Sequence, residues 1–75
     1  MSTDIERFKA GELVDFDESE AIVLANANTV TIHDGYGTYR KQSLGLNVAY
    51  QVNAGETILI RKGSKVQLGK PDVPS

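Results

Sequence analysis

The sequence contains no cysteine and a single histidine, His33, and these two absences remove several classes of protein. Without cysteine, neither a disulfide nor a thiolate metal site can form, and one imidazole is too few for almost every histidine-based zinc site. A chain of 75 residues makes one small domain whose core is only marginally large enough for stability. Because disulfides and metals are excluded as aids to folding, association with another chain is the aid that remains.

Long apolar runs and an excess of positive charge are also missing. The longest apolar run extends from Ala21 to Ala25, whereas a helix that spans a bilayer needs about 20 apolar residues. The first residues are acidic where a signal peptide has a basic stretch, so we expect a cytoplasmic or virion location and no membrane partner. The formal net charge of -2 at pH 7 does not favour a strongly basic nucleic-acid binder.

The charges are divided unevenly along the chain. Residues 1–20 carry seven acids and two bases, a net charge of -5, while residues 21–75 carry six bases and three acids, a net charge of +3. This division predicts an acidic N-terminal arm over residues 1–19 and a basic body. The strand pattern described below assigns residues 20–69 to an antiparallel β domain, and two prolines without a strand pattern predict an extended C-terminal tail over residues 70–75. Complementary charge steers association, so the arm is expected to dock on its own domain or on a neighbouring copy. The other reading is that the acids only keep the segment soluble.

Alternation of apolar and polar residues from Ala21 onward indicates β-strands. The clearest case runs from Leu44 to Val52, where five large apolar residues have strict i, i+2 spacing and predict one half-buried strand. At the N-terminus, Thr3 and Glu6 have the spacing of a capping box, which predicts a one-turn helix near residues 3–9. Shorter strands are predicted at residues 21–25, 29–33, 56–61 and 65–68.

Turn-forming residues separate these segments. Asp34-Gly35 is a strong two-residue hairpin signal, because glycine accepts positive φ and aspartate tolerates it. Similar turn chemistry occurs at residues 26–28, 53–55 and 62–64, so strands recur about every 8 to 12 residues. This rhythm predicts an all-β fold, a small antiparallel β-barrel or sandwich of about five to six short strands.

The sequence offers little for catalysis, metal binding or nucleotide binding. His33 and Asp34 are adjacent, so on a strand they point to opposite sides and do not form a dyad. An EF-hand loop that starts at Asp15 needs glycine at position 20 and an acid at position 26, where this chain has Glu20 and Asn26. None of the glycines belongs to a phosphate-binding loop motif. We therefore expect no enzymatic activity, no cofactor and no metal, with a looser calcium site among the acids of residues 15–20 as the alternative.

One short segment resembles a known motif. Gly55 and Gly63 have the glycine spacing of the second short motif of cupin jelly rolls. The proline, the metal-binding histidine and the asparagine of that motif are replaced here by Arg61, Val66 and Lys70, respectively. The resemblance covers residues 55–70 and implies a similar strand-turn-strand geometry, without the metal-dependent chemistry of cupins.

Two sets of residues are the candidates for partner binding. Phe8, Leu13 and Phe16 are expected to anchor the arm, while its acids supply charge for a complementary surface. The set on the arm consists of Phe8, Leu13, Asp15, Phe16, Asp17 and Glu18. The set on the basic surface expected to receive them consists of Arg40, Lys41, Arg61 and Lys62.

These features favour a non-enzymatic structural or assembly protein that packs as a homo-oligomer or on a larger lattice. Small virion components, such as capsid decoration or head-to-tail joining subunits, have this general design. The open edges of short sheets add to the case, because unpaired edges are natural sites of association. The alternative is a β-barrel that binds single-stranded nucleic acid or a small ligand through the basic face, with Tyr36 and Tyr39 as stacking platforms.

Overall fold

The computed structural model describes residues 3–69 of the chain, in which one short helix precedes eight short strands. The helix is α1 (Thr3–Lys9), and no helix in this part of the chain is long and apolar enough to cross a membrane. The prediction of a predominantly β domain is confirmed, with α1 as the helical exception. The strands are β1 (Val14–Asp15), β2 (Glu20–Val23), β3 (Asn28–Asp34), β4 (Gly37–Tyr39), β5 (Gln42–Ser43), β6 (Ala49–Val52), β7 (Thr57–Ile60) and β8 (Lys65–Leu68).

The strands form two four-stranded antiparallel sheets. Sheet 1 has the order β1-β8-β3-β6 and sheet 2 the order β2-β7-β4-β5. Apart from β4 and β5, which are neighbours in sheet 2, consecutive strands lie in different sheets. This is the strand order of a double-sheet jelly roll, an open sandwich in which each sheet keeps two edge strands. Of the two predicted architectures the sandwich is confirmed and the closed barrel is wrong, and the described residues form eight strands where five to six were expected.

The long alternating segment from Leu44 to Val52 is not one strand, contrary to the prediction. Its first part links β5 to β6 and makes only an isolated parallel bridge between Leu46 and Ile32, whereas the continuous pairing with β3 is confined to β6. Asn47 interrupts the extended backbone with a φ of 59°, and its N–H donates to the carbonyl of Ile32 at 2.8 Å. Asparagine tolerates this left-handed conformation better than most residues. As a result, Leu46 and Val48 are about half exposed instead of lying on the buried side of a strand.

The predicted hairpin at Asp34-Gly35 is also wrong, because this link carries the chain from sheet 1 to sheet 2. Gly35 has a φ of 92°, and a Cβ placed on it would lie 2.4 Å from Ser64 Oγ. The bend therefore requires glycine both for its backbone conformation and for the close approach of the β7–β8 link. Ser64 Oγ accepts a hydrogen bond from the Tyr36 N–H at 2.8 Å and donates one to the Tyr36 carbonyl at 3.0 Å, which joins the two links.

A two-residue hairpin does occur, but it connects β4 to β5 through Arg40 and Lys41. Their φ values are 53° and 63°, the pattern of a type I′ turn. Such turns usually contain Asn-Gly, so neither residue type signalled a turn at this position. The other turn segments predicted from the sequence, at residues 26–28, 53–55 and 62–64, are links between the two sheets.

The core between the sheets is formed within a single chain. Twelve hydrophobic residues between positions 3 and 69 are buried, and every buried polar side-chain atom in this range has a hydrogen-bond partner. Strand alternation decides which side chains enter the core: in β7, Ile58 and Ile60 point inward and Leu59 points outward. The core is therefore complete within one chain and gives no reason for association. Any reason for association must come from the surface.

Residues 3–19 pack against the sheets and do not form the predicted extended arm. Helix α1 contacts β1 and β8, and the buried ring of Phe8 lies 5.8 Å from that of Phe16 in an edge-on arrangement. Val14 pairs with Val66, which makes β1 an edge strand of sheet 1. The arm prediction fails because three apolar side chains of the acidic segment gain free energy by entering the core, while its acids at positions 15, 17 and 18 remain in contact with water.

Several other predictions are confirmed. The helix near residues 3–9 is α1, and the strands predicted at 21–25, 29–33, 56–61 and 65–68 correspond to β2, β3, β7 and β8. The strand-turn-strand geometry implied by the cupin-like glycine spacing is that of β7, its link and β8. The predicted tail over residues 70–75 lies outside the described residues.

Candidate interaction surface

Phe8 and Phe16, two of the predicted partner-binding residues, belong to the core. Their side chains are 0% and 1% exposed, so a partner does not contact them while the N-terminal segment stays folded. They anchor this segment on the chain's own sheets. Of the two docking arrangements expected from the sequence, the structure has the one within a single chain.

Leu13, Asp15, Asp17 and Glu18 lie on the surface, as a partner-binding role requires. Because Val14 points inward, Leu13 and Asp15 on either side of it point away from the core. Leu13 is 47% exposed. None of the three acids forms an ion pair with another residue between 3 and 69. We call these four residues the acidic surface.

Arg40 is held by Glu56, which lies in the β6–β7 link. The guanidinium Nε and Nη2 atoms lie 2.9 and 2.6 Å from the two carboxylate oxygens, and the Tyr39 hydroxyl donates to the same carboxylate. The Arg40 guanidinium carbon also lies 5.2 Å from the centre of the Tyr39 ring. Hydrogen bonds from Arg40 and then Tyr39 lower the pKa of Glu56 to about 2. Within one chain, Arg40 therefore pairs with this link and not with the acidic surface.

Arg61 and Lys62 lie in the β7–β8 link next to the N-terminal segment, but the contact is made by the backbone. The Lys62 N–H donates to Ser19 Oγ at 3.0 Å, and the Gly63 N–H donates to the Phe16 carbonyl at 2.7 Å. In the described part of the chain, neither Arg61 nor Lys62 forms an ion pair, and the same holds for Lys41. Backbone hydrogen bonds and apolar burial hold the segment in place, where charge pairing was expected.

The outward positions of sheet 2 form a surface that the sequence analysis missed. Four of them lie in one row across all four strands, since Leu59 pairs with both Ala21 and Thr38, and Thr38 pairs with Ser43. The Tyr36 hydroxyl lies 2.7 Å from Ser43 Oγ at one side of this row. No residue of the surface is charged. We call it the uncharged face, and it consists of Ala21, Val23, Tyr36, Thr38, Ser43, Thr57 and Leu59.

The uncharged face exposes large apolar side chains to water. Val23, Tyr36 and Leu59 are 46%, 45% and 43% exposed. The outward side of sheet 1 is different, because it carries polar residues that include His33 and Lys65. Sequence reasoning could not find the uncharged face, since Val23 and Leu59 lie in continuous apolar runs that do not reveal which side faces the core.

Basic residues flank the uncharged face at both ends. Arg61 follows Leu59 by two positions, and its N–H donates to the Tyr36 carbonyl at 3.0 Å. Arg40 and Lys41 form the β4–β5 turn at the opposite end of sheet 2. The surface therefore combines an apolar centre with one unpaired basic residue of the described chain at each end, Arg61 and Lys41, because Arg40 is paired with Glu56.

The remaining features offer no comparable site. His33 Nε2 lies 3.2 Å from Gln67 Oε1, and the Asp34 carboxylate accepts from the Gly35 N–H, so these two titratable residues have separate partners. Between residues 3 and 69, no three histidine, aspartate or glutamate side chains are placed to hold a metal ion. A pocket of about 190 Å³ lies where α1 meets the β2–β3 link, and it is lined by Lys9, Leu24, Ala25, Asn26, Asn28 and Leu68.

The fold and this surface define a small antiparallel β-sandwich with one exposed and uncharged sheet face. Comparisons of the chain with protein families, with curated proteins and with solved structures found no match.

Proposed function

We propose that this protein is a non-enzymatic assembly component that packs as a homo-oligomer or on a larger lattice. A small virion component, such as a capsid decoration or head-to-tail joining subunit, is one form this function takes. The observation that carries the proposal is the uncharged face, where Val23, Tyr36 and Leu59 remain about half exposed.

The composition of the uncharged face favours its burial against another protein. Apolar area gains about 25 cal/mol per Å² when it is removed from water, and no charged side chain at the centre has to be desolvated. Antiparallel sheets that face water normally alternate apolar with polar or charged residues. Contiguous apolar area with a charged rim is typical of an interaction site.

The edges of the sheets support the same proposal. Strands β2 and β6 are four residues long, and each stands at the edge of its sheet. An edge strand has one row of backbone donors and acceptors without a sheet partner, and proteins commonly cover or pair such rows. The other two edges, β1 and β5, are only two residues long and offer less. The β2 edge borders the uncharged face and is a second place where another chain can bind.

The test is the mass of the purified protein as a function of concentration. Native mass spectrometry and sedimentation velocity should show a discrete protein oligomer that dissociates on dilution. Leu59→Asp should shift it to monomer, because the substitution places a charge in the buried contact. Val48→Asp changes a similarly exposed residue in the β5–β6 link and serves as the control. A chain that remains an 8.1 kDa monomer at submillimolar concentration contradicts the homo-oligomer.

A second candidate function is the binding of single-stranded nucleic acid or a small ligand at the basic end of the same face. It is favoured by Arg61 and the exposed Tyr36, which are joined by a 3.0 Å backbone hydrogen bond. Arginine and aromatic side chains supply phosphate contacts and base stacking in such sites. Tyr39 is not free to act as the second platform, because Glu56 and Arg40 engage its hydroxyl and its ring.

Anisotropy of a labelled single-stranded oligonucleotide tests this second candidate. Binding should weaken as salt is added, and Tyr36→Ala should weaken it further, since both phosphate contacts and stacking contribute. Absence of binding at low salt rejects the candidate.

A further inference from the structure

We propose that copies of this chain stack head to tail, with the acidic surface of one copy bound to the uncharged face and basic ends of the next. The acidic surface presents Leu13 and Asp15 at β1, with Asp17 and Glu18 in the β1–β2 link that follows, and the receiving surface presents Val23 and Leu59. This inference rests on the proposed function, because it names the partner as a second copy and the two surfaces that meet.

The two surfaces point in opposite directions. Asp15 lies on the outward side of β1, which is in sheet 1, and the exposed Leu13 directly precedes that strand, on the other side of the buried Val14. Val23 and Leu59 lie on the outward side of sheet 2, because their neighbour Ile22 or Ile58 is buried. The outer sides of a two-sheet sandwich face away from each other. One copy can therefore bind a neighbour on each side.

Charge favours this arrangement over the packing of two uncharged faces. Arg61 flanks the face at one end, and Lys41 flanks it at the other, where Arg40 is already paired with Glu56. Two such faces packed with their strands roughly parallel or antiparallel therefore bring basic residues against basic residues, which opposes association. The acidic surface provides the opposite charge, and its three acids have no ion-pair partner in the described part of the chain.

The exposed apolar side chains of the two surfaces also favour head-to-tail contact. Leu13 is 47% exposed beside carboxylates, and Val23 and Leu59 are exposed between guanidinium and ammonium groups. Leu13, with Asp15 two residues further on, is thus complementary to the apolar residues that Arg61 and Lys41 flank. Contact buries the apolar centres and leaves the charges at a rim that water still reaches, the usual anatomy of a specific interface.

The size of the face predicts the strength of the contact. Four strands about 4.8 Å apart, of which the longest have four residues of about 3.3 Å each, give a face of at most roughly 19 by 13 Å. This is well below the area of about 800 Å² per partner in a standard interface. Stacking must therefore draw on the charged ends, and it should depend on protein concentration and weaken as salt screens the charges.

Symmetry sets the form of the assembly. A contact between two different surfaces is heterologous, so repetition gives a closed ring or an open filament rather than a two-fold dimer. This property makes the proposal testable with two variants that each block one surface.

The experiment uses Leu13→Asp and Leu59→Asp in the full chain, with Val48→Asp as the control. Each of the first two variants alone should sediment as a monomer, with association about tenfold weaker or more. An equimolar mixture should form a dimer and nothing larger. Each dimer has one intact contact, because the other pairing places aspartate against aspartate. Circular dichroism should show native folding for all three variants, since the three positions are exposed.

Each alternative outcome identifies what fails. If wild type assembles but Leu13→Asp does not change assembly, head-to-tail stacking is overturned while the assembly function stands. If the equimolar mixture of Leu59→Asp and Leu13→Asp contains no dimer of the two variants, the contact is between like faces, and stacking is also overturned. Assembly that requires nucleic acid, shown by absorbance near 260 nm in the particle, overturns it in favour of the second candidate function. A wild-type chain that stays monomeric removes both self-association and stacking.

If Leu59→Asp fails to fold, Val23→Asp replaces it, because Val23 lies on the same face in the edge strand β2. The expected results for the single variant and for the mixture are then unchanged.

Discussion

At the scale of single residues, Glu56 holds the β4–β5 turn. Its carboxylate accepts hydrogen bonds from the Arg40 guanidinium and the Tyr39 hydroxyl, which lie on a different strand and turn. Arg40 adopts positive φ in this turn, a conformation that long side chains rarely take. The ion pair therefore supports a backbone geometry that the residues of the turn do not favour by themselves.

Glu56 predicts a pH dependence of stability. Its pKa is about 2 in the folded chain, below the ordinary value of 4.5, so the folded state holds fewer protons between these values. The stabilisation is complete above the ordinary value and is lost as the pH falls toward the folded value. The melting temperature of Glu56→Gln should be below that of wild type at neutral pH, and the difference should disappear as the pH approaches about 2.

Thermal melts at several pH values and low salt measure this difference. Glu18→Gln is the control, because it removes an exposed carboxylate that has no ion pair in the described residues. A constant difference between wild type and Glu56→Gln across the acid range would show that Glu56 acts through shape and not through charge.

At the scale of elements, alternation correctly located β3, β7 and β8 but not the extent of β6. The segment from Leu44 to Val52 has the most regular alternation in the chain, yet Asn47 breaks it with positive φ. Alternation reports which side of a strand a residue occupies, but it does not report whether the strand continues. In the same way, Asp34-Gly35 correctly indicated a bend and wrongly indicated a hairpin. The type of link depends on which sheet receives the next strand.

Glycine is required in such links either for a positive φ or for lack of space for a Cβ atom, and a comparison of Gly35 with Gly63 distinguishes the two requirements. Both have positive φ, but a Cβ on Gly35 would meet Ser64, while one on Gly63 would meet nothing within 4 Å. Gly63→Ala should cost about 1 kcal/mol for backbone conformation alone. Gly35→Ala should cost about 3 kcal/mol or more, because it adds a steric clash and disturbs the Ser64 hydrogen bonds.

Urea denaturation of both variants gives these free energies of unfolding. Equal losses for Gly35→Ala and Gly63→Ala would mean that the β7–β8 link moves aside without cost.

At the scale of the whole molecule, the N-terminal segment is part of the folding unit. The negative charge of residues 1–20 suggested an independent arm, but Phe8, Val14 and Phe16 are fully or almost fully buried. Three large side chains are a considerable part of a core with twelve buried hydrophobic residues between positions 3 and 69. Small domains have total stabilities of about 5 to 15 kcal/mol, so the loss of one such side chain is serious.

Removal of residues 1–19 should therefore abolish cooperative unfolding of the remaining chain. Phe8→Ala alone should cost about 3 to 5 kcal/mol, because it leaves a cavity in the core. Leu13→Ala, at an exposed position of the same segment, should cost less than about 1 kcal/mol and serves as the control. Circular dichroism with thermal melting measures all three. A truncated chain that still melts cooperatively would restore the independent arm.

The sequence by itself determined the β class, the positions of β2, β3, β7 and β8, and the surface location of the acids and bases. These properties are local, because alternation, turn residues and charge act over a few positions along the chain. Only the tertiary structure decided that Arg40 pairs with Glu56, that Phe8 and Phe16 are buried, and that Val23 and Leu59 share one exposed face. Those relations join residues far apart in sequence, and they depend on which strands pair, which local patterns do not specify.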